Sequence, residues 1–310
     1  MDPTREVLIT RNLSFSYGTA AAVSNVDLAI CRGDIFGFVG PNGAGKTTTI
    51  KLLLGLLTPS SGTIRAFGRP MQDDRTGALR RIGALVETPS LYPHLTATEN
   101  LRIQQLAHRV LPRRIGEVLE LMSLETARDK RVKHFSLGMK QRLGIALALL
   151  HAPDLLVLDE PANGLDPAGI QDLRLLLKRL AADEGMTIFL SSHILAELEQ
   201  TASKIAIISQ GAIRYQGTLD ALKATQQGRL HLVVDDGERA RTALLRLGYG
   251  GLPAKGDSFA VPAADRDACS AVNAALVSAG VKVSHLAFEQ PNLEDLFLAI
   301  VRDAERSAIS

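Results

Sequence analysis

An α/β fold is predicted by three observations. Strand-like and helix-like runs alternate through the middle of the chain, a glycine-rich loop joins one such strand to a helix, and another apolar strand ends on two adjacent acids. Strands alternating with helices argue for a parallel sheet with active loops at the strands' C-terminal ends. The 310 residues, 46% hydrophobic and 22% charged, suit a globular chain of about two domains with ample core. A formal charge of +2 calls for no nucleic-acid partner. Cys31 and Cys269 lie far apart without metal-ligand spacing, which fits buried thiols in a reducing cytosol. The polar start, Met1 to Glu6, has no apolar segment of a signal peptide. No apolar run reaches the roughly 18 residues of a membrane span, since even Leu143–Leu150 stops at His151. Work at a membrane would therefore go through a partner.

In order along the chain, Val7–Ile9, Leu13–Tyr17 and Val26–Ile30 alternate apolar and polar residues and read as antiparallel strands. Ile35–Val39 is a β-prone run, and Thr48–Leu57 is helix-like. Thr58–Gly62 reads as a turn and Thr63–Phe67 as a short strand. Residues 97–150 read as helical, with breaks near Pro112 and Ser123. A buried strand at Leu155–Leu158 leads to Asp159-Glu160, a helix at Ala168–Glu184, a strand at Thr187–Leu190, then Ser191-Ser192-His193 and a further helix. Composition shifts across Lys223–Gly228. Beyond it come a β-like run (Arg229–Val234), a helix (Glu238–Leu247), a short strand near Phe259–Val261, a helix (Arg266–Ala279) and a strand (Val281–Phe288). That order resembles a small split β-α-β scaffold, with no chemistry visible in it.

Chemistry concentrates first at Gly40-Pro-Asn-Gly-Ala-Gly-Lys46-Thr47-Thr48, which fits G-x-x-x-x-G-K-[ST] between a strand and a helix. The glycines let successive N–H groups of Gly40, Asn42, Gly43, Ala44, Gly45 and the residues after them converge on one anion, helped by the helix N-terminus. Lys46 can reach the β- and γ-phosphates, Thr47 can ligate Mg²⁺, and Thr48 opens the helix. Such a loop serves kinases, GTPases and motors alike. The second constellation is Leu155-Leu-Val-Leu-Asp159-Glu160, 113 residues beyond Lys46. It would deliver Asp159 to the Mg²⁺ shell and Glu160 to the attacking water.

Phe135-Ser-Leu-Gly-Met-Lys-Gln141-Arg142, just before that strand, is similar to the signature motif of ABC-type ATPases. Gly164-Leu-Asp166 resembles the family's D-loop, and Ser192-His193 its switch histidine. Residues 5 to about 220 fit the family in motif order and spacing, and no guanine-reading Asn-Lys-x-Asp is present. The resemblance implies a P-loop NTPase fold of the ABC ATPase kind: an ATP-binding domain over 1–222, a helical subdomain at about 88–150, and a small α+β accessory domain over 229–310. It also implies that Tyr17 stacks on adenine, that Ser136, Gly138 and Asp166 complete the ATP site of a second copy, and that His193 holds the γ-phosphate, Glu160 and water. Lys46, Glu160 and His193 are the expected catalytic set. Two departures stand out in the signature, where Leu137 replaces a glycine and Met139 the glutamine.

Glu87, in Ile82-Gly-Ala-Leu-Val-Glu87-Thr-Pro, stands where the family normally has glutamine. A carboxylate can ligate Mg²⁺ or accept from water but cannot donate as an amide does. The expected metal ligands are thus Thr47, Glu87 and Asp159. This glutamate, the signature variant and the extended C-terminus ending Gln290-Pro-Asn-Leu-Glu-Asp-Leu-Phe-Leu298 resemble the ATPase subunits of bacitracin and lantibiotic-immunity exporters. The expectation is an ATP- and Mg²⁺-using homodimer on the cytoplasmic face of the cell membrane, driving a separate permease with no direct nucleic-acid contact. A soluble ABC ATPase acting on ribosomes or nucleic acid is the alternative. Such proteins usually carry two nucleotide domains or a long insertion, whereas 49 residues separate Glu87 from Ser136 here. A nucleotide-gated binding module without turnover would be expected to lack Glu160 or His193. The cargo is not legible.

Overall fold

The computed structural model describes residues 6–224, 228–249, 254–255, 257–263, 266–289 and 293–309. The polar residues 1–5, part of the composition shift (225–227) and residues 290–292 lie outside that set. The chain divides into two compact units, Met1–Leu219 with Ile300–Ser310, and Asp220–Ala299.

The first unit opens with β1 (Glu6–Tyr17) and β2 (Ala20–Cys31), paired antiparallel. The two apolar runs expected as separate strands belong to one strand, β1. Its register slips between Thr10 and Leu13, where Asn12 takes φ 47° and interrupts the alternation. β3 (Ile35–Val39) is buried at all five positions, as a central parallel strand requires. Helix α1 (Lys46–Leu53) starts two residues earlier and ends four residues sooner than its apolar pattern suggested. β4 (Ser61–Ala66) and β5 (Arg69–Pro70) extend the antiparallel sheet to the order β2-β1-β4-β5. Short α2 (Arg75–Leu79) leads into β6 (Ile82–Leu85).

Three helices follow, α3 (Ala97–His108), α4 (Arg113–Leu121) and α5 (Leu137–Leu149). Between α4 and α5 the expected helix gives way to two 3₁₀ turns, Glu125–Ala127 and Val132–His134, after Ser123 turns the chain at φ 54°. Thr96 and Glu99 form a reciprocal capping box that starts α3. The chain then continues through β7 (Leu155–Leu158), α6 (Pro167–Asp183), β8 (Thr187–Ser192), α7 (Leu195–Glu199), β9 (Lys204–Ser209), β10 (Ala212–Gly217) and α8 (Leu219–Ala224). The main sheet runs β10-β9-β3-β8-β7-β6, parallel except for β10 at its edge. Phe189 on β8 lies between Phe36 and Phe38 on β3, with ring centroids 5.8 and 5.4 Å away, and all three rings are fully buried. Val39 at the end of β3 lies opposite Ser192 at the end of β8, and Leu158 at the end of β7 lies opposite Leu190, two residues before β8 ends. The loops leaving β3, β7 and β8 therefore emerge side by side.

In the second unit, β11 (Gly228–Val234), α9 (Gly237–Arg246), β12 (Ala254–Lys255), β13 (Ser258–Ala263), α10 (Arg266–Ser278) and β14 (Val283–Glu289) follow one another. The sheet order β12-β13-β11-β14, antiparallel throughout, completes the split β-α-β plan with a hairpin strand not foreseen from sequence. Leu230, Leu232 and Val234 alternate into a core with Phe259, Val261, Val272 and Leu276. Helix α11 (Leu293–Ile309) begins in the second unit, and its residues from Ile300 on belong to the first.

Candidate active site

The loop after β3 curls tightly because glycines permit it. A Cβ on Gly40 would lie 2.3 Å from the Ile208 carbonyl oxygen, and one on Gly45, at φ 104°, 2.5 Å from that of Ala22. Asn42 and Gly43 form the exposed crest, Ala44 is buried, and Thr48 is half-buried on α1. Gly45 hands over to α1, so the open N–H groups of its first turn face the loop.

Lys46 is 5% exposed, and its ammonium donates to Gly40 O (2.8 Å) and Pro41 O (3.2 Å) while lying 3.1 Å from Glu160 Oε1. Thr47 Oγ1 donates to Asp159 Oδ2 at 2.8 Å. Asp159 is buried, and its other oxygen accepts from Ser191 Oγ at 2.6 Å. Glu160 takes the left-handed conformation (φ 46°), and its N–H donates to the same Ser191 hydroxyl at 2.8 Å. Its Oε2 lies 3.1 Å from His193 Nδ1. Lys46, Thr47, Asp159, Glu160, Ser191 and His193 thus form one connected polar cluster drawn from three strand ends. Ser191 was missed from sequence. The signal was its place at the end of β8, since continuing the Leu158–Leu190 pairing by one residue sets Asp159 beside Ser191.

Glu87 does not join that cluster. At φ 61° its exposed carboxylate turns to Lys51, 2.8 Å away, a residue four places beyond Thr47 on the same face of α1. Hydrogen bonding to Glu87 holds the Lys51 ammonium above its ordinary value; burial works against this, and the charges of Tyr17 and Asp159 add to it. Tyr17, at the end of β1, is 52% exposed and packs edge-on to Phe15, with its ring open to a stacking partner.

Ser136, Gly138 and Asp166 gather elsewhere. Ser136 caps α5 by accepting from Met139 N, and Asp166 caps α6 by accepting from Gly169 N. Leu137, in place of the usual glycine, covers Gly164, where a Cβ would meet its Cδ2 at 2.9 Å. These residues line an open cavity of about 650 Å³ with Arg142 and Asp172, which are ion-paired at 2.6 Å. Among the described residues, no hydrogen bond or ion pair joins Ser136, Gly138 or Asp166 to the Lys46 cluster.

The ABC transporter family pattern matches residues 23–163. The bacitracin transport ATP-binding protein BcrA of Bacillus licheniformis is 46% identical over 235 residues, which are 76% of this chain and 77% of that protein. The chain belongs to the ABC transporter family. The lantibiotic transport ATP-binding protein SrtF of Streptococcus pyogenes is 44% identical, over 67% of this chain and 89% of its own length. A dimeric ATP-binding cassette in a post-hydrolysis state, bound to ADP and Pi, superposes with a TM-score of 0.62 at 25% identity, covering 68% of this chain and 98% of its own. As an ABC ATPase the protein binds nucleotide and hydrolyses ATP. Among the described residues no three His, Cys, Asp or Glu side chains group closely enough to hold a metal ion by themselves. Thr47 and Asp159 nevertheless fit Mg²⁺, which takes one or two protein ligands and completes its shell from phosphates and water.

Proposed function

We propose that this ATPase is the energy-supplying subunit of an exporter, in which two copies sandwich two ATP molecules and drive a separate membrane permease from the cytoplasmic face. The observation that carries this reading is the division of the site. Residues suited to binding and cleaving ATP form one connected cluster, while Ser136, Gly138 and Asp166 open onto a cavity of their own. A second copy, turned to face the first, would bring that set to the γ-phosphate, with the α5 N-terminus adding its dipole. The dimeric cassette with ADP and Pi supports the arrangement by similarity.

Within each site Thr47 and Asp159 would hold Mg²⁺, which when bound neutralises charge on the β- and γ-phosphate oxygens. Tyr17 would stack on adenine. ATP phosphates would replace Glu160 as the partner of Lys46, leaving the Glu160 carboxylate held by His193 and free to accept a proton. Water then attacks the γ-phosphorus, the bond to the bridging oxygen breaks, and ADP and phosphate leave. Glu87, drawn from Lys51, would join the metal shell or its water. Residues 88–135 would present the permease-facing surface, a reading supported by the exposure of Tyr92, Ile103, Leu106 and Leu111 there. Leu298 and the rest of the accessory domain over 229–310 have no assigned part in this scheme.

The relatives' names point to bacitracin or a lantibiotic-type peptide as cargo. Deleting the chain in its native cell tests this. Sensitivity to one such peptide rises, wild-type protein restores resistance, and Glu160→Gln does not. Unchanged sensitivity to bacitracin and lantibiotics would remove the cargo assignment, and rescue by Glu160→Gln would remove the role of hydrolysis.

A further inference from the structure

Ser191 is fully buried at the end of β8, and both of its hydrogen bonds go to the two acids that end β7. Its O–H donates to Asp159 Oδ1 at 2.6 Å, and its oxygen accepts from the Glu160 N–H at 2.8 Å. A hydroxyl carries one donor and two lone pairs, so its donor and one of its lone pairs are used. An alanine would fill this buried strand position without a polar group. A buried hydroxyl persists where its partners need it.

Each acid has a reason to need it. Asp159 has two carboxylate oxygens, and only the one facing Thr47 can share a metal ion with it. Occupying the other oxygen from β8 fixes which is which. Glu160 sits at φ 46°, a conformation that non-glycine residues hold only when surroundings impose it. Its N–H is tied to β8 while its carboxylate reaches between Lys46 and His193. The next residue points the other way. Ser192 Oγ accepts from Ile194 N and lies 2.6 Å from Glu197 Oε2, which shapes the turn presenting His193. Successive strand residues face opposite sides, so the pair Ser191-Ser192 serves the acids on one side and the histidine turn on the other.

We propose that Ser191 is a positioning residue for ATP hydrolysis: a single hydroxyl on β8, the strand that leads to His193, sets the carboxylate orientation of Asp159 and the backbone conformation of Glu160. This rests on the roles proposed above for those two acids. The strand that leads into the His193 turn is thereby coupled to both of them.

The test uses the purified full chain with Ser191→Ala, Ser191→Thr and Ser191→Cys, alongside Glu160→Gln. Measured are kcat, the Mg²⁺ concentration for half-maximal rate, the Kd of a fluorescent ATP analogue in EDTA, and the unfolding midpoint. Outer-shell partners of metal ligands typically contribute about 10- to 100-fold. Ser191→Ala is expected to lower kcat by about that factor and to raise the Mg²⁺ requirement, with the metal-free Kd changed less than about threefold. Ser191→Thr, which keeps the hydroxyl, restores kcat to within about threefold of wild type. If the extra methyl prevents folding, the weak donor of Ser191→Cys gives an intermediate rate. Wild-type kcat in Ser191→Ala overturns the proposal. So does a parallel loss of metal-free ATP binding and of the unfolding midpoint in Ser191→Ala that neither the threonine nor the cysteine variant reverses, since that marks a purely structural role. Wild-type turnover in Glu160→Gln would instead defeat the base assignment, whatever Ser191 does.

Discussion

The Lys46 cluster and the Ser136 cavity belong to the same chain but differ in how finished they are. In the first, the functional atoms of Lys46, Thr47, Asp159, Glu160 and His193 already touch one another, and most are buried or half-buried. In the second, Ser136 and Asp166 are exposed, spend their side chains on capping their own helices, and face open space. A cluster that satisfies itself can hold a ligand alone. An exposed pair of helix starts beside a cavity is a surface prepared for something brought from outside. On the function proposed above, the contrast would leave nucleotide binding to the single chain and hydrolysis to the pair.

The largest expected effect lies on the finished side. Glu160→Gln removes the proton acceptor while keeping the shape, and kcat should fall by about 10²- to 10⁴-fold with ATP binding retained. Phosphate-release assays beside equilibrium binding check this; a variant that turns over normally would erase the distinction between the two regions. Next is the unfinished side. Gly138→Asp puts a carboxylate at the N-terminal turn of α5, facing the place proposed for a partner's γ-phosphate. Hydrolysis should drop about 100-fold while the Kd for ATP stays within about threefold, because the chain's own phosphate loop is untouched. Weakened binding to the isolated chain would show that the regions are one site after all.

A smaller effect is expected at Glu87. With Gln in its place the Lys51 ion pair is lost but a side-chain oxygen remains, so ATPase activity should change by no more than about threefold, exposed pairs of this kind contributing little. Glu87→Ala should keep hydrolysis but break its coupling to export. If the alanine variant both hydrolyses and exports normally, Glu87 has no part in either region.

The smallest effect is a pH control remote from both. His151 bonds to Ile82 O and stacks on His108 with ring centroids 4.5 Å apart. Burial, then the neighbouring His108 and Arg114, hold its imidazole below the ordinary 6.5. The unfolded chain therefore takes up a proton that the folded one resists, so stability rises with pH through the window below 6.5 and is lost as pH falls through it. The unfolding midpoint should fall less steeply below 6.5 in His151→Gln than in wild type, and equal slopes would mean that this imidazole does not report folding.

Much of this was legible because single segments carried it. The glycine loop announces its own turn, and an unbroken apolar run such as Leu155–Leu158 can only be a buried strand or part of a buried helix, with two acids marking its end. What needed the structure depends on pairing between distant segments. The turn Gln210-Gly211 between β9 and β10, both residues at positive φ, was a local signal for that hairpin, whereas β6 has none, and the split in β1 was an artefact of Asn12 and its register slip. Lys51 meets Glu87 across 36 residues and Ser191 meets Asp159 across 32, distances at which no local period speaks. The helical stretch between Met122 and Ser136 was overread because its apolar residues pack from 3₁₀ turns, which the 3.6-residue pattern does not separate from α-helix.

The division between a self-sufficient binding cluster and a surface awaiting a partner is most directly tested by the mass of the protein in solution. Sedimentation of Glu160→Gln without nucleotide and with saturating ATP, repeated with Gly138→Asp added, is the deciding measurement. One chain alone and two chains with ATP, with the second substitution abolishing only the ATP-dependent step, is the result expected. ATP-bound protein that stays at the mass of one chain, or a dimer indifferent to Gly138→Asp, would contradict it.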